Sequence, residues 1–419
     1  MQCLAEMLAA TFGVEVKVLN LDAEPHENYA SWPEIYEESV HLSARLQSHV
    51  VWEEYEQYLS ETRPDIVIVG AGDLVLPTVD FGIPRAARRV GEITKRVLGP
   101  EVTTYVYGVF PTLDPSEYYD VFDGVIVSEA ETKRVLGRLM RRDRGLILGE
   151  LTEDLDSVPL LRWERLVVPV DKANMDYIVS SRGCAWQCAY CATPAVTGRR
   201  IRHMGVGRFL NEVEFRLNEY GVTAQYFADM NLLVPKARGR EICRQIIARG
   251  LKLKWWCEAR SDSIDAEICA LMKQAGCSHV KLGVEGNQAV MDALHKMETE
   301  ERARQAVAML KDAGLGVVAY TMLGAPGLAD EDFQRSYEFL KSLEATHYVV
   351  NITVPHPGTP LYSQVKIEAA DDWQHLDSRL KDLWGLREDT VQKFMKLNRM
   401  GKKEDSGIRR YGKSVEVAA

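Results

Sequence analysis

Long apolar runs are missing from this chain of 419 residues. Stretches such as Ile66-Val-Ile-Val and Val317-Val-Ala-Tyr have the length of buried strands and fall far short of the roughly 20 residues a bilayer crossing needs, so no membrane span is expected. An excess of basic charge is missing too. With 51 Lys and Arg against 61 Asp and Glu the net charge is −10, which argues against a broad nucleic-acid footprint. Only Arg199, Arg200, Arg202 and His203 make a local basic patch, read either as a solvated loop or as the neighbour of an anionic substrate or cofactor. The chain opens on no signal peptide, and 8 cysteines in a chain this long do not make a disulfide framework. A reducing cytoplasm is the expected home. Cys3, Cys243, Cys257, Cys269 and Cys277 scatter over apolar faces and read as core packing, with Cys257 alone close to the end of a strand.

The other three cysteines are what the sequence does have. Cys184, Cys188 and Cys191 stand at C-x3-C-x2-C in the run Ser181-Arg-Gly-Cys-Ala-Trp-Gln-Cys-Ala-Tyr-Cys191. Three thiolates can hold three irons of a [4Fe-4S] cluster and leave the fourth open. Structural zinc wants four closed ligands and ferredoxin clusters want four cysteines, so a compact set of three points to a cluster whose open iron binds a substrate or cofactor. An apolar strand, Tyr177-Ile-Val-Ser, leads into the run, and the loop carries Gly183 and Pro194. That is the carboxyl-end position at which a parallel α/β barrel places its chemistry.

From about 175 to 355, strand-like runs alternate with amphipathic helices, the pattern of consecutive βα units and a parallel sheet. Strands are expected at 177–180, 224–228, 253–257, 280–285, 317–323 and 347–353. Between them lie helices near 209–217, 238–249, 266–275 and 300–313, the last two stopping at Gly276 and Gly314. Six units suggest an open, partial barrel. Its strand ends carry a converging polar set: Asp229 and Asn231, then Glu258, Arg260 and Asp262, then Glu285, then Gly324-Ala-Pro-Gly327, then Pro355-His-Pro-Gly-Thr359.

The cysteine run resembles the signature of the radical S-adenosylmethionine (SAM) superfamily. There the open iron chelates the amino and carboxylate groups of SAM, and an electron from the cluster breaks the S–C5′ bond. The segments Phe227-Ala-Asp229, Cys257-Glu-Ala-Arg-Ser-Asp262, Gly283-Val-Glu285, Met322-Leu-Gly-Ala-Pro-Gly327 and Pro355-His-Pro-Gly-Thr-Pro-Leu-Tyr362 are similar to successive motifs of its cobalamin-associated branch, over residues 175–365. The resemblance implies that Cys184, Cys188 and Cys191 are the cluster ligands and that Tyr190 lies near the adenine. It also implies that Asp229 holds the SAM amino group, Arg260 its carboxylate and Glu285 its ribose or methionine side, with Gly324 and Gly327 beside the cofactor. SAM presents a carboxylate, an ammonium and ribose hydroxyls, which call for a guanidinium, acidic acceptors and exposed backbone. Two departures touch this rim: Leu328 stands where the family often has an acid, with Asp330 and Glu331 slightly later, and the helix after the fourth strand starts early, at Gly286-Asn-Gln.

In the amino-terminal half, 15–21, 65–70, 103–108 and 123–127 read as buried parallel strands with helices between. Such a domain binds ligands at the carboxyl ends of its strands, where Gly70-Ala-Gly72 and Gly108 lie. This half resembles the Rossmann-like cobalamin-binding domain of the same branch, which implies that Gly70, Gly72 and Gly108 face the corrin. No Asp-x-His-x-x-Gly cobalt-ligand motif is present, and the sequence at Met1 reads as already inside the first helix, without the family's opening strand. The connection 25–52 is long. The expected layout is 1–150 Rossmann-like, 151–174 linker, 175–362 partial (β/α)6 barrel and 363–419 a helical segment, with Trp373, Leu376, Leu380, Leu383 and Trp384 on one face, ending in a polar tail.

The resemblance implies a cobalamin-dependent radical SAM methyltransferase acting on an unactivated carbon of a small metabolite or peptide, with reduced flavodoxin or ferredoxin as electron donor. A second reading is a radical SAM enzyme with a degenerate cobalamin domain that performs a rearrangement, a coupling or transfer of another SAM-derived group. A third is a binding or electron-transfer protein with a non-catalytic cluster.

Overall fold

Short runs rich in β-branched and aromatic residues fold as parallel strands, and the loops leaving their carboxyl ends carry the polar residues noted above. The computed structural model describes residues 2–19, 50–72, 74, 82–160, 162–167, 177–365 and 380–399. The chain divides into two compact units between Met175 and Asp176.

In the first unit, β1 (Ile66–Gly70), β2 (Thr103–Tyr107), β3 (Gly124–Val127) and β4 (Gly145–Leu148) pair in that order, all parallel. Every residue of β2 is buried, as in a strand covered on both faces. The helix Gly82–Leu98 lies between β1 and β2, and Lys133–Met140 between β3 and β4. The strand expected at 15–21 does not join this sheet. Within it Val18 makes only an isolated parallel bridge to Leu166, while Glu15 and Lys17 are exposed and paired to each other at 3.3 Å. A segment with charge on one face and no neighbouring strand cannot satisfy a ladder; residues 20 and 21 lie outside the described residues, as does most of the 25–52 connection, which ends in the helix Val50–Thr62. Sequence reasoning missed β4, an edge strand whose Leu146 and Leu148 are 42% and 55% exposed and therefore show no clean alternation.

The glycines at these strand ends face their own chain. A Cβ on Gly108, whose φ is +137°, would lie 2.3 Å from the Gly72 carbonyl oxygen and 2.5 Å from that of Ala71. One on Gly72 would lie 2.3 Å from Val109. The loops leaving β1 and β2 therefore touch backbone to backbone, so the missing side chains of Gly72 and Gly108 admit the chain itself, while Gly70 is exposed. Gly108→Ala should cost about 2–4 kcal/mol of unfolding free energy, from overpacking and a forbidden φ together, read as a lowered urea midpoint at unchanged m.

In the second unit, β5 (Tyr177–Ile178), β8 (Ala224–Phe227), β9 (Lys254–Ala259), β10 (Cys277–Glu285), β11 (Gly316–Leu323) and β12 (His347–Ile352) form one six-stranded sheet in sequential order, every pair parallel. Helices Val206–Glu219, Lys236–Ala248, Ala266–Gln274, Glu300–Asp312 and Asp330–Ser342 alternate with these strands. Trp255, Cys257, Val280, Leu282, Val317 and Ala319 are fully or almost fully buried, so one face of the sheet is a continuous apolar core. Cys257 belongs to that core. The opposite face carries Tyr226, Trp256 and His279, stacked in line across β8, β9 and β10, with Lys281 Nζ 3.8 Å above the Tyr226 ring.

The strand expected at 177–180 is shorter than foreseen. Ser181–Arg182 (β6) instead turns away to pair antiparallel with Arg202–His203 (β7), a two-residue ribbon that sequence patterning could not reveal. This also dissolves the basic patch: Arg202 is buried and donates to the Thr197 carbonyl at 2.8 Å, leaving Arg199 and Arg200 exposed. Beyond β12, the short helix Leu380–Leu383 and the helix Glu388–Arg399 are described, whereas Trp373, Leu376 and the polar tail lie outside the described residues.

Burial holds His279, His203 and His356 down to about 4. An unfolded chain protonates these rings near pH 6.5 while the folded one does not, so stability is full above that value and falls as pH drops toward 4. Each ring should cost on the order of 1–3 kcal/mol across that window. Urea unfolding of the metal-free protein at several pH values checks this, and His279→Gln should flatten the slope.

Candidate functional site

The eleven-residue cysteine run leaves β5 with almost no regular structure of its own, so neighbouring strand ends must hold it. Asp229, just past β8, does most of this. Its carboxylate is fully buried and accepts from the Ser180 amide at 3.2 Å, from the Ser180 hydroxyl at 2.9 Å and from the Ser181 hydroxyl. Burial pushes this carboxyl up, opposed by Arg238 and by the serine hydrogen bonds. Arg238 reaches the same place, donating to the Ser180 hydroxyl at 2.9 Å. Asp229 is therefore turned toward the root of the loop, where it fixes backbone.

Further along the loop, the Cys184 amide donates to the Gly198 carbonyl at 3.1 Å, the Ala189 amide to that of Leu294 at 2.8 Å, and the Leu361 amide to that of Ala189 at 2.9 Å. Cys188 and Cys191 then line a cavity of about 430 Å³ with Gln187, Arg199, Thr359 and Ser363. Burial pushes the thiols of Cys184, Cys188 and Cys191 up, and for each the positive charge of Lys296 works the other way. Among the described residues no three His, Cys, Asp or Glu converge on a single ion, and thiols that share a cluster several ångströms wide need not do so.

Arg260, at the end of β9, braces the loop from the other side. Its Nη1 lies 3.9 Å from Cys188 Sγ, its Nη2 donates to the Lys296 carbonyl at 3.0 Å and sits 3.2 Å from Glu298, and its Nε meets Asp262 at 3.3 Å. Trp186 covers the guanidinium, with 4.7 Å between Cζ and the ring centroid. All three nitrogens are thus engaged within the protein. Arg260 thus forms a brace between the cysteine loop and residues 296–298.

Glu285 ends β10 in an unusual conformation. Its φ is +65°, and the pairing with β11 shifts register between Gly283 and Glu285. A non-glycine residue held there is strained, and such strain concentrates at functional sites. One oxygen, Oε1, accepts from the Tyr190 hydroxyl at 2.8 Å and from Lys296 Nζ at 2.5 Å. Burial raises the Tyr190 phenol well above its ordinary value, with the Glu285 charge adding to it. Lys296 and Glu298 escaped sequence reasoning because a Lys-x-Glu pair after a short helix carries no signature. The one available sign was two charges spaced to share a side of an extended loop.

The glycines after β11 separate. Gly324, at φ +106°, has Trp384 where its Cβ would be, 2.3 Å from Cδ1, and Trp384 Nε1 donates to the Thr353 carbonyl at 2.8 Å. Its lost side chain admits an indole from the carboxyl-terminal segment. No described residue lies within 4 Å of where a Cβ on Gly327 would be. Asp330, near the family's acidic position, accepts from the Arg387 amide at 3.1 Å and the Thr390 hydroxyl at 2.9 Å, anchoring the same segment.

Residues 178–340, which span the six-stranded sheet up to its last helix, match the radical SAM superfamily. The chain is a radical SAM enzyme. Its cofactors are accordingly a [4Fe-4S] cluster and SAM. An uncharacterized methyltransferase of Pyrococcus horikoshii is 24% identical over 351 residues, covering 78% of this chain and 74% of that one. The anaerobic magnesium-protoporphyrin IX monomethyl ester cyclase of Cereibacter sphaeroides is 24% identical over 355 residues, 78% of this radical SAM enzyme but only 57% of the cyclase. Among solved structures, the radical SAM methyltransferase TsrM from Kitasatospora setae, with cobalamin and a [4Fe-4S] cluster bound, superposes with a TM-score of 0.62 at 15% identity, over 83% of this chain and 76% of that one. At that identity the likeness is one of fold. No helix among the described residues is long and apolar enough to cross a membrane.

Replacing Cys184, Cys188 or Cys191 by Ala in this radical SAM enzyme should each abolish cluster assembly, whereas Cys243→Ala and Cys269→Ala, buried in the helix-covered core, should leave iron near four per chain. Iron and sulfide analysis after anaerobic reconstitution reads the difference.

Proposed function

We propose that this radical SAM enzyme is a cobalamin-dependent methyltransferase, acting on an unactivated carbon of a small metabolite or peptide. The observation that carries the reading is the extent of the fold likeness: it spans 83% of the chain, and so reaches beyond residues 178–340 into the four-stranded unit. A relative named as a methyltransferase, aligned over 78% of the chain, supports it. In this reading residues 1–150 are the cobalamin-binding-type domain, 151–174 the linker and 175–362 the partial barrel.

Cys184, Cys188 and Cys191 hold the cluster, and the donor set fits: three thiols on one loop, two of them lining a cavity, with cationic neighbours that compensate thiolate charge. The cluster supplies the electron that cleaves SAM, and cobalamin the methyl group. Asp229 fixes the root of the loop and Arg260 its far side, so that the thiols stay placed without regular secondary structure. Tyr190 and Glu285 present a buried phenol and carboxylate toward SAM, and Gly327 leaves backbone open beside it. The reductant is a flavodoxin or ferredoxin, and the setting is the cytoplasm.

The contact of Gly72 with Gly108 favours a second reading, because it fills space at two of the strand ends where the corrin was expected. In that case the first unit takes no cobalamin and the radical chemistry ends in another step. One experiment separates the two. Anaerobically reconstituted protein is incubated with hydroxocobalamin and gel-filtered; a corrin absorption band that stays with the protein at about one per chain is the expected result. A band lost from protein that keeps its cluster overturns the methyltransferase reading.

A further inference from the structure

Lys296 is a buried cation that sequence reasoning did not single out, and several features of the local fold serve to aim it. The residues on either side, His295 and Met297, both hold left-handed backbone, at φ +51° and +58°. Two such residues in alternation throw Lys296 and Glu298 to one side of the loop and leave Met297 73% exposed on the other. Left-handed conformations at non-glycine residues are unfavourable, so the surrounding contacts must over-determine them. They do: the Leu294 carbonyl receives the Ala189 amide of the cysteine loop at 2.8 Å, and the Lys296 carbonyl receives Arg260 at 3.0 Å.

The side chain is also provided with space. A Cβ on Gly283 would lie 2.7 Å from Lys296 Nζ and 3.0 Å from Glu285 Oε1, so the ammonium and the carboxylate rest over the bare Cα of β10. There Nζ meets Glu285 Oε1 at 2.5 Å, and Glu285 in turn holds Tyr190, the residue between Cys188 and Cys191 in the same short loop. Burial works against the lysine charge, but Glu285 and then Cys188 outweigh it and hold the ammonium above its ordinary value. A charge with so little water around it is poorly screened.

We infer that Lys296 is a positioning residue for the cluster: its ammonium, aimed inward by left-handed residues and seated over Gly283, is a fixed positive charge that stabilises the reduced cluster at Cys188 and raises its reduction potential. The inference rests on Cys184, Cys188 and Cys191 being the ligands. Reduction adds a negative charge to the cluster, and a nearby cation favours the more negative state. Exchanging the lysine for an apolar chain of similar length removes that preference. Exchanging the lysine and the glutamate together removes two opposed charges, so the fall in potential should be smaller.

The test is a redox titration of the reconstituted protein without SAM, followed by the electron paramagnetic resonance signal of the reduced cluster, alongside iron analysis. Lys296→Met should keep iron near four per chain and lower the midpoint by about 59 mV or more, a tenfold shift for a one-electron couple. Lys296→Arg, which keeps the charge, should recover most of it. Lys296→Met combined with Glu285→Gln leaves no bare buried carboxylate, assembles even if the single variant does not, and should show a smaller fall. A midpoint equal to the parent's in a variant that has lost the lysine and kept its iron overturns the inference. Iron absent from the parent chain as well would overturn the ligand assignment, and this inference with it.

Discussion

The carboxylate of Asp229 is the constraint on which the site depends. The cysteine loop has no ladder or helix to define it, and a thiol set that must meet a rigid cluster cannot tolerate a wandering backbone. Three donors from Ser180 and Ser181 converge on this one buried group, with Arg238 behind them. Leaving those donors without a partner would cost on the order of 1–3 kcal/mol each, so the loop's departure from β5 is strongly specified. The short ribbon of β6 with β7 then carries the chain away from the sheet at a fixed angle.

From that root the loop is held by strand ends in series. Arg260 belongs to β9, Glu285 to β10, and the Leu361 amide that meets Ala189 follows β12. Parallel order makes this possible, because every strand delivers its carboxyl end to the same rim. The arrangement uses charge sparingly: Arg260 faces Asp262 and Glu298, and Lys296 faces Glu285, so each buried cation has a carboxylate within 3.3 Å. Buried pairs of this kind add little net stability, and removing one partner is costly. Their worth lies in fixing geometry around the thiols.

Much of this rim was legible in the sequence, and the reason is physical. Strands of a parallel sheet are short apolar runs, and helix stops at Gly276 and Gly314 are local chemistry, so element order could be read without tertiary knowledge. The cysteines were legible because their spacing is itself the ligand geometry. What was lost depends on contacts between distant segments. Asp229 and Arg260 were correctly placed at strand ends, yet their partners, Ser180 and Glu298, lie 49 and 38 residues away, and no local pattern says which way a side chain turns. Lys296 was invisible because its burial comes from backbone angles at His295 and Met297 that neither residue type predicts.

The glycines show the same limit from the other side. A glycine at a strand end means only that something approaches closely, and sequence cannot say whether that is a ligand or the chain itself. At Gly108 the neighbour is the backbone of Ala71 and Gly72; at Gly324 it is the indole of Trp384, 60 residues on; at Gly283 it is the ammonium of Lys296; at Gly327 nothing from the described chain stands near. Four glycines on equivalent rims thus serve as a loop contact, a socket, a seat for a charge and an opening. Of the four, only at Gly327 does no described residue answer the missing Cβ. Ligand space in this fold is therefore better sought where a missing Cβ is not answered by the protein, together with a cavity that ends on the thiols of Cys188 and Cys191.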